Sequence, residues 1–210
     1  MTTQREAVAA RAPGRPRSEK AEKAIIAAVI DLLAEGLSLS ELSIEAIAQR
    51  AGVGKTTIYR RWSSKEDLVL DALTTLKAPV PDFGDRSTRD ALVGYLRLMQ
   101  NESEHPRARC IMNVALRERE RYPDLAERFH KLAIEPRRAV LRDMLQRGVD
   151  SGELRPDLDI KVAMSAIIGA MLYFTKWNHG NEPPADLPER IVEALFRGFA
   201  GGKAGGKAGG

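Results

Sequence analysis

The strongest constraint on the fold lies between residues 43 and 62, where two short helical patterns are separated by a single turn. The first, "SIEAIAQRA", repeats apolar residues at helical spacing and is ended by Gly52. The second, "GKTTIYRRW", places Ile58 and Trp62 one helical turn apart. Two short helices joined by a tight glycine turn predict helix-turn-helix geometry, with the second helix entering a major groove of DNA.

The same segment contains part of a phosphate-binding loop, so a nucleotide-binding enzyme is a rival interpretation. A Walker loop has the pattern G-x-x-x-x-G-K-[ST], and the Gly54-Lys55-Thr56 end needs a glycine at position 49, which is Gln49. The loop must also follow a buried strand, whereas the residues before Gly52 have helical periodicity. The pattern therefore favours a DNA-binding helix pair over a P-loop enzyme.

Two further helical patterns complete an N-terminal head from residue 18 to residue 77. Ser18 is predicted to cap a helix that stops at Gly36, and Ser64 with Asp67 is predicted to open a fourth helix. Within this head, residues 50 to 65 carry five basic side chains and no acidic one, whereas residues 78 to 200 carry equal numbers of both. This distribution predicts that the head binds a polyanion and that the rest has another task.

The segment Leu42–Leu73, "LSIEAIAQRAGVGKTTIYRRWSSKEDLVLDAL", resembles the DNA-binding signature of the TetR family of bacterial regulators. The shared features are an I-A-x-x-A-G-V turn, a short G-x-x-T-[LI]-Y helix, a closing aromatic residue and S-K-E-x-L. The match covers residues 20 to 75, although Gly54 stands where a serine often caps the helix and Trp62 replaces the commoner phenylalanine. It implies an all-α fold, with an N-terminal three-helix helix-turn-helix DNA-binding domain and a C-terminal helical ligand-binding and dimerisation domain.

The resemblance also implies which residues of the head contact DNA. Lys55 and Thr56 would approach base edges, and Thr57, Tyr59 and Lys65 match positions that usually hold the phosphate backbone. Short hydroxyls, a phenol and long cations suit both kinds of contact. Further candidate contacts are Arg60 and Arg61, one of which can simply be solvated. Gly52 is interpreted as the turn, and Ile47, Ala48, Ile58 and Trp62 as core.

The two ends of the chain lack periodicity. Residues 1 to 17 are interpreted as a flexible basic arm in which "GRPR" lies extended in a minor groove, with Arg15 and Arg17 directed to its floor. A tail with incidental charge is the alternative, because a four-residue motif is weak. Residues 201 to 210, "GGKAGGKAGG", are of low complexity and are predicted to be disordered.

Residues 86 to 200 are predicted to form a second, wholly helical domain after the break "APVPDFGD". A long helix from Pro123 to Gly148 is expected to kink near Pro136. The last two long helices are apolar on two sides, so they must be covered from two sides. A second copy of the chain is the obvious cover, and TetR-like proteins dimerise through these helices.

In the TetR family the C-terminal domain encloses a small-molecule pocket. The candidate lining residues here are Met99, Cys110, Met112, Phe129, Met171, Phe174 and Trp177. The resemblance therefore implies a ligand-responsive transcriptional regulator, a repressor that binds a palindromic operator as a homodimer and is released by a small-molecule effector. A dimer that binds DNA without sequence preference, as architectural proteins do, is the alternative to an operator-specific regulator.

Composition excludes several other classes. The single Cys110 cannot form an internal disulfide, and the three histidines lack metal-ligand spacing, so no metal or cofactor is predicted. The most apolar stretch is shorter than a membrane helix of ~20 residues, and no signal peptide is visible. We therefore expect a cytoplasmic protein without catalytic activity.

Overall fold

A computed structural model describes residues 15–77, 79–105, 118–177 and 183–198. Within these ranges, the side chains of residues 15–18, 176 and 177 lie outside the described part. All regular elements among these residues are helical, and no strand occurs among them. The α-helices are α1 Arg15–Ala34, α2 Ile44–Ala51, α3 Lys55–Tyr59, α4 Lys65–Thr75, α5 Thr88–Glu104, α6 Pro123–Phe129, α7 Glu135–Asp150, α8 Ile160–Leu172 and α9 Leu187–Arg197. The predicted all-α fold is confirmed.

The chain divides into two compact units, Met1–Ala72 and Leu73–Gly210. The division falls within α4, whereas the sequence predicts that the head ends at residue 77 and that the second domain starts at residue 86. Those finer limits stay predictions.

The N-terminal unit is built on the apolar side of α1. Ile25, Val29, Leu32 and Leu33 recur at helical spacing, and all four are buried, as the periodicity predicts. The helix begins at Arg15, three residues before the Ser18 that was expected to cap it. The expectation of an extended segment is therefore wrong for residues 15 to 17, whose backbone is helical.

Capping groups set the limits of the two short helices. Ser43 Oγ accepts a hydrogen bond of 3.1 Å from the amide of Ala46 and so begins α2. Gly52 ends α2 in the left-handed conformation, with φ at 66°, and its N–H donates back to the carbonyls of Ala48 and Gln49. The next helix, α3, ends at Tyr59, so it is shorter than the predicted span to Trp62.

The C-terminal unit packs α5, α7, α8 and α9 around one apolar core. Its most deeply buried members include Leu96, Leu141, Met144 and Met171. Two helices of this unit begin at side-chain caps: Ser87 accepts from the amide of Asp90 in α5, and Asp159 accepts from the amide of Val162 in α8. This core forms the scaffold of the cavity described below.

The predicted kink near Pro136 takes the form of a π-helical segment, His130–Ile134, between α6 and α7. Pro136 has no N–H to donate and its ring crowds the carbonyl four residues earlier. Widening one turn of the helix relieves that crowding and lets the helical path continue to Asp150. A second π-helical segment, Tyr173–Trp177, follows α8.

Candidate nucleic-acid interface and C-terminal cavity

One aliphatic and one aromatic side chain pack α3 against the rest of the N-terminal unit. Ile58 is fully buried and Trp62 is nearly so, which confirms that both belong to the core. Trp62 Nε1 also donates a hydrogen bond of 3.0 Å to Asp71 Oδ2 of α4. Because these contacts fix one side of α3, the opposite side is held facing solvent.

The exposed side of α3 carries the residues predicted to contact DNA. Lys55, Thr56 and Arg60 are exposed, and Tyr59 is an aromatic side chain that remains 58% exposed. Thr57 is half-buried beside them. A phenol beside cations and short hydroxyls offers hydrogen-bond donors that suit contact with nucleic-acid phosphates.

Lys55 is engaged within the protein. Its Nζ donates a short hydrogen bond to Glu45 Oε1 of α2, and both side chains are largely exposed. The hydrogen bond lowers the pKa of the Glu45 carboxyl and raises the pKa of the Lys55 ammonium. The pair is therefore fully charged at neutral pH.

Other members of the basic cluster also have partners that the linear sequence does not suggest. Arg50 forms a two-point hydrogen bond with Glu35, the residue that follows α1, at 2.7 and 2.9 Å. Lys65 donates to the carbonyl oxygen of Leu39 at 2.7 Å, and its proposed phosphate contact would use its remaining donors.

Arg61 differs from its neighbour Arg60. Its side chain is only 13% exposed, its Nη1 donates to the carbonyl of Thr57 at 3.2 Å, and its Nε lies 3.7 Å from Glu22. Arg60 is exposed. Of the two candidate contacts, Arg61 therefore has a packing role in the free protein, and Arg60 is the one accessible to a partner.

Gly54 provides no side-chain cap for α3. Its backbone is extended, with φ at −77° and ψ at 146°, and a Cβ added there meets no other atom within 4 Å. The glycine is therefore not required by the local geometry. The side chains of Arg15 and Arg17 lie outside the described residues, so their predicted minor-groove contacts stay predictions.

The C-terminal unit contains a cavity of about 820 Å³, a volume typical of small-molecule sites. Met99, Phe129 and Met171, all predicted to line a pocket, are on its wall. Phe174 instead packs against the hydrophobic core and is not among the lining residues. Cys110, Met112 and the side chain of Trp177 lie outside the described residues.

The cavity wall also carries charged residues that were not predicted from the sequence. Lys77 Nζ donates a hydrogen bond of 3.0 Å to Glu102 Oε2, and Arg137 Nη2 lies 3.0 Å from Glu102 Oε1. These side chains are only 15%, 11% and 11% exposed for Lys77, Glu102 and Arg137. The available signal was Arg137 itself, which occupies the position four residues before the buried Leu141 on α7.

Tyr95 lies next to this ionic group on the cavity wall. Its hydroxyl donates a hydrogen bond of 3.3 Å to the carbonyl of Arg137. Burial raises the pKa of the Tyr95 phenol, because the charged phenolate is poorly solvated there.

Comparison with known proteins identifies the family. Residues 25–72 match the model of bacterial regulatory proteins of the tetR family, and residues 80–195 match the model of the tetracyclin repressor-like C-terminal domain. The chain belongs to the TetR family. It is a DNA-binding transcriptional regulator, as the resemblance in the head predicted.

Relatives among curated proteins agree with this assignment to the TetR family. The HTH-type transcriptional regulator YdeS of Bacillus subtilis (strain 168) is 34% identical over 76% of this chain and 80% of its own length. The HTH-type transcriptional regulator Rv1556 of Mycobacterium tuberculosis (strain ATCC 25618 / H37Rv) is 31% identical over 68% of this chain and 67% of its own. Both relatives are thus named as HTH-type transcriptional regulators.

Solved structures of the TetR fold match nearly the whole chain. The TetR family transcription regulator SCO0332 is 26% identical, with a TM-score of 0.60 over 87% of this chain and 100% of its own. The regulator FadR from Bacillus subtilis, in complex with stearoyl-CoA, has a TM-score of 0.70 over 85% of this chain and 99% of its own. At 19% identity, FadR shows the shared fold alone.

The rival P-loop interpretation is wrong. The segment before Gly52 is the helix α2, and a phosphate-binding loop requires a strand at that place. Among the described residues, no group of three or more His, Cys, Asp or Glu is arranged to hold a metal ion. No helix of the described part of this TetR-family chain is both long and apolar enough to span a membrane.

Proposed function

We propose that this regulator is a repressor that binds a palindromic operator as a homodimer and is released by a small-molecule effector. The observation that carries the proposal is that Lys55, Thr56 and Tyr59 on α3 are accessible, opposite the buried Ile58. Arg60, directly after α3, is accessible too. Hydroxyls and cations on a short helix of a helix-turn-helix are suited to base edges and phosphates in a major groove. The proposed contact set also includes Thr57 and Lys65.

An exposed apolar stripe along α8 and the first residue of the π-helical segment after it supports the homodimer. Val162, Ala166, Gly169 and Tyr173 recur at helical spacing, and all are exposed, Val162 at 63% and Tyr173 at 57%. TetR-family regulators act as dimers, and a second copy of the chain would cover this stripe. A two-fold dimer presents two recognition helices to a palindromic site with half-sites about 34 Å or a multiple apart.

The cavity in the C-terminal unit supports release by an effector. Its volume of about 820 Å³ and its mixed apolar and polar wall suit a small molecule. FadR, which shares the fold, was solved with stearoyl-CoA. If the effector and the operator favour different conformations, each must weaken the binding of the other by the same free energy. We propose no catalytic activity, and we place the protein in the cytoplasm because its proposed target is DNA.

Selection of bound DNA from a random pool tests operator recognition. We expect a recovered palindrome, because each protomer of the dimer reads one half-site. Affinity for that palindrome should exceed affinity for random duplex by at least about 10³ at physiological salt. Equal affinities would contradict the proposal and support the architectural alternative.

Two conservative variants test the assignment of contacts on α3. Tyr59→Phe removes a hydroxyl proposed to hold a phosphate and should weaken binding to all sequences alike. Thr56→Ala removes a group proposed to face base edges and should change the preference at particular base pairs. The opposite pattern would show that the register of α3 on DNA is wrong.

Gly169→Arg tests the dimer. A Cβ at Gly169 meets no atom within 4 Å, so the larger side chain can be accommodated in the protomer. It would place a charge in the proposed contact, and sedimentation should show a monomer with unchanged helical content. Gln146→Arg on the exposed side of α7 is the control and should leave the dimer intact. A Gly169→Arg dimer as stable as the native one would exclude this interface.

Arg15 and Arg17 are proposed to add contacts outside the helix-turn-helix. Arg15→Ala and Arg17→Ala preserve the helical backbone that begins α1. Each lost phosphate contact should reduce the slope of log affinity against log salt by about 0.9. An unchanged slope would remove both residues from the interface.

A further inference from the structure

The cavity of the C-terminal unit has walls of two kinds. Apolar side chains form one kind, among them Met99, Phe129, Ile168 and Met171. The other kind is cationic, because the described lining residues include five lysines and arginines but only two carboxylates, Glu102 and Glu127. These cations are Lys77, Arg119, Lys131, Arg137 and Arg138.

The two carboxylates of the described wall form ion pairs with three of these cations. Glu127 accepts from Lys131 at 2.6 Å, near the exposed edge of the wall. Deeper in the wall, Lys77 and Arg137 both contact the carboxylate of Glu102, and all three side chains are at least 85% buried. Cations outnumber carboxylates among the described lining residues, and an excess of positive charge where water is scarce is stabilised by an anion.

Resting on the function proposed above, we propose that the effector is an amphipathic anion whose acidic group, of the carboxylate class, binds Lys77 and Arg137. The apolar body of the ligand occupies the wall formed by Met99, Phe129 and Met171. Tyr95, whose hydroxyl donates to the carbonyl of Arg137, holds that part of α7 in position beside the acidic group.

In the free protein, the carboxylate of Glu102 contacts the two cations that we propose to bind the acidic group of the ligand. Its two oxygens contact Lys77 and Arg137 at 3.0 Å each. Glu102 is therefore an internal competitor for the acidic group of the ligand. Removing its charge should strengthen the binding of an anion, a change opposite in sign to the effect of general damage to the cavity.

A matched pair of fluorescent probes tests the proposal on the full chain. The anion 8-anilinonaphthalene-1-sulfonate and its uncharged parent N-phenyl-1-naphthylamine have the same aromatic body and differ in one acidic group. We expect the sulfonate to bind roughly tenfold or more tightly than the parent, since a charge-assisted hydrogen bond in a dry site contributes that much. Unlabelled 1-naphthoate should displace it at lower concentration than uncharged 1-naphthamide.

Variants assign the effect to the cavity. Lys77→Met and Arg137→Met should each reduce sulfonate affinity about tenfold and leave the affinity of the uncharged parent unchanged. Glu102→Gln should increase sulfonate affinity at least about threefold, because the competing charge is gone. Arg142→Met is the matched control, since Arg142 lies on the same helix, pairs with Glu135 and is exposed.

Equal affinity of the two probes for the native chain would overturn the proposal. So would unchanged or weaker sulfonate binding in Glu102→Gln, a variant that retains the side-chain volume and whose folding circular dichroism can verify. Operator binding by the same preparations is measured separately. Loss of the anion preference with intact operator recognition contradicts this inference alone, whereas failure to recover any operator contradicts the proposed function.

Discussion

Glu45, at the second position of α2, holds the ammonium group of Lys55, at the first position of α3. The contact joins the two helices of the helix-turn-helix across Gly52. It also places a carboxylate beside the cation that we propose to reach base edges. DNA binding therefore exchanges one partner of Lys55 for another and brings Glu45 close to a polyanion.

Glu45→Gln should strengthen operator binding. The substitution frees Lys55 and removes a repelling charge, so we expect affinity to rise roughly threefold to tenfold at low salt and the salt slope to steepen by up to about 0.9. Fluorescence anisotropy across a salt series measures both quantities. The matched control is Glu127→Gln, which breaks a similar exposed pair with Lys131 in the other unit and should change neither. Weaker binding by Glu45→Gln would show that the pair positions Lys55 for DNA.

The two glycines around the turn should respond differently to substitution. Gly52 has φ at 66°, so Gly52→Ala should lower the free energy of unfolding by about 1–2 kcal/mol, although its Cβ meets no neighbour. Gly54 has an ordinary φ of −77°, and Gly54→Ser should raise the free energy of unfolding by a few tenths of a kcal/mol by capping α3. Urea titrations compare them. A loss at Gly54 as large as that at Gly52 would contradict the conformational explanation.

The burial of Tyr95 should make the folded protein less stable at alkaline pH. Burial raises its pKa in the folded protein, whereas the unfolded chain releases the phenolic proton near the ordinary value of about 10. Between these two values the folded state binds more protons, so the free energy of unfolding falls as pH rises. The stabilisation is fully present below about pH 10 and is lost as pH rises through the folded pKa.

Tyr95→Phe should remove this contribution. Urea midpoints of both proteins between pH 8 and pH 11 provide the measurement. The difference between native and variant should be constant below about pH 10 and should shrink above it. A difference independent of pH throughout that range would mean that Tyr95 does not titrate differently in the folded state.

Gly148 should not tolerate a side chain, because α7 approaches the start of α5 there. A Cβ at Gly148 would lie 2.6 Å from Thr88 Oγ1 and 2.8 Å from Leu154 Cδ1. Thr88 is buried and β-branched, so it cannot move aside easily. We expect Gly148→Ala to lower the free energy of unfolding by about 1–3 kcal/mol. Gly152 is exposed, has φ at 80° and leaves open space for a Cβ, so Gly152→Asn tests backbone strain alone. Comparison of its thermal melt with that of Gly148→Ala would separate crowding from backbone strain.

Local patterns predicted most of the head. Apolar spacing indicated the buried side of α1, and Gly52 indicated the turn, because helix periodicity and chain reversal depend on neighbouring residues. The early start of α1 was missed, since Pro16 near a helix N-terminus is compatible with helix as well as with an extended arm. The π-helical form of the predicted bend was also missed, because a proline predicts disruption without specifying how it is accommodated.

The amino-acid sequence by itself determined the helical class, the helix-turn-helix and the residues on α3, because these follow from spacing and from a motif contained within about thirty residues. Tertiary structure alone decided which charges meet. Glu35 reaches Arg50, Glu45 reaches Lys55, and Glu102 joins Lys77 to Arg137. Electrostatic energy depends on distance in space and on burial, and residues 25 or 35 positions apart acquire both only when their helices pack.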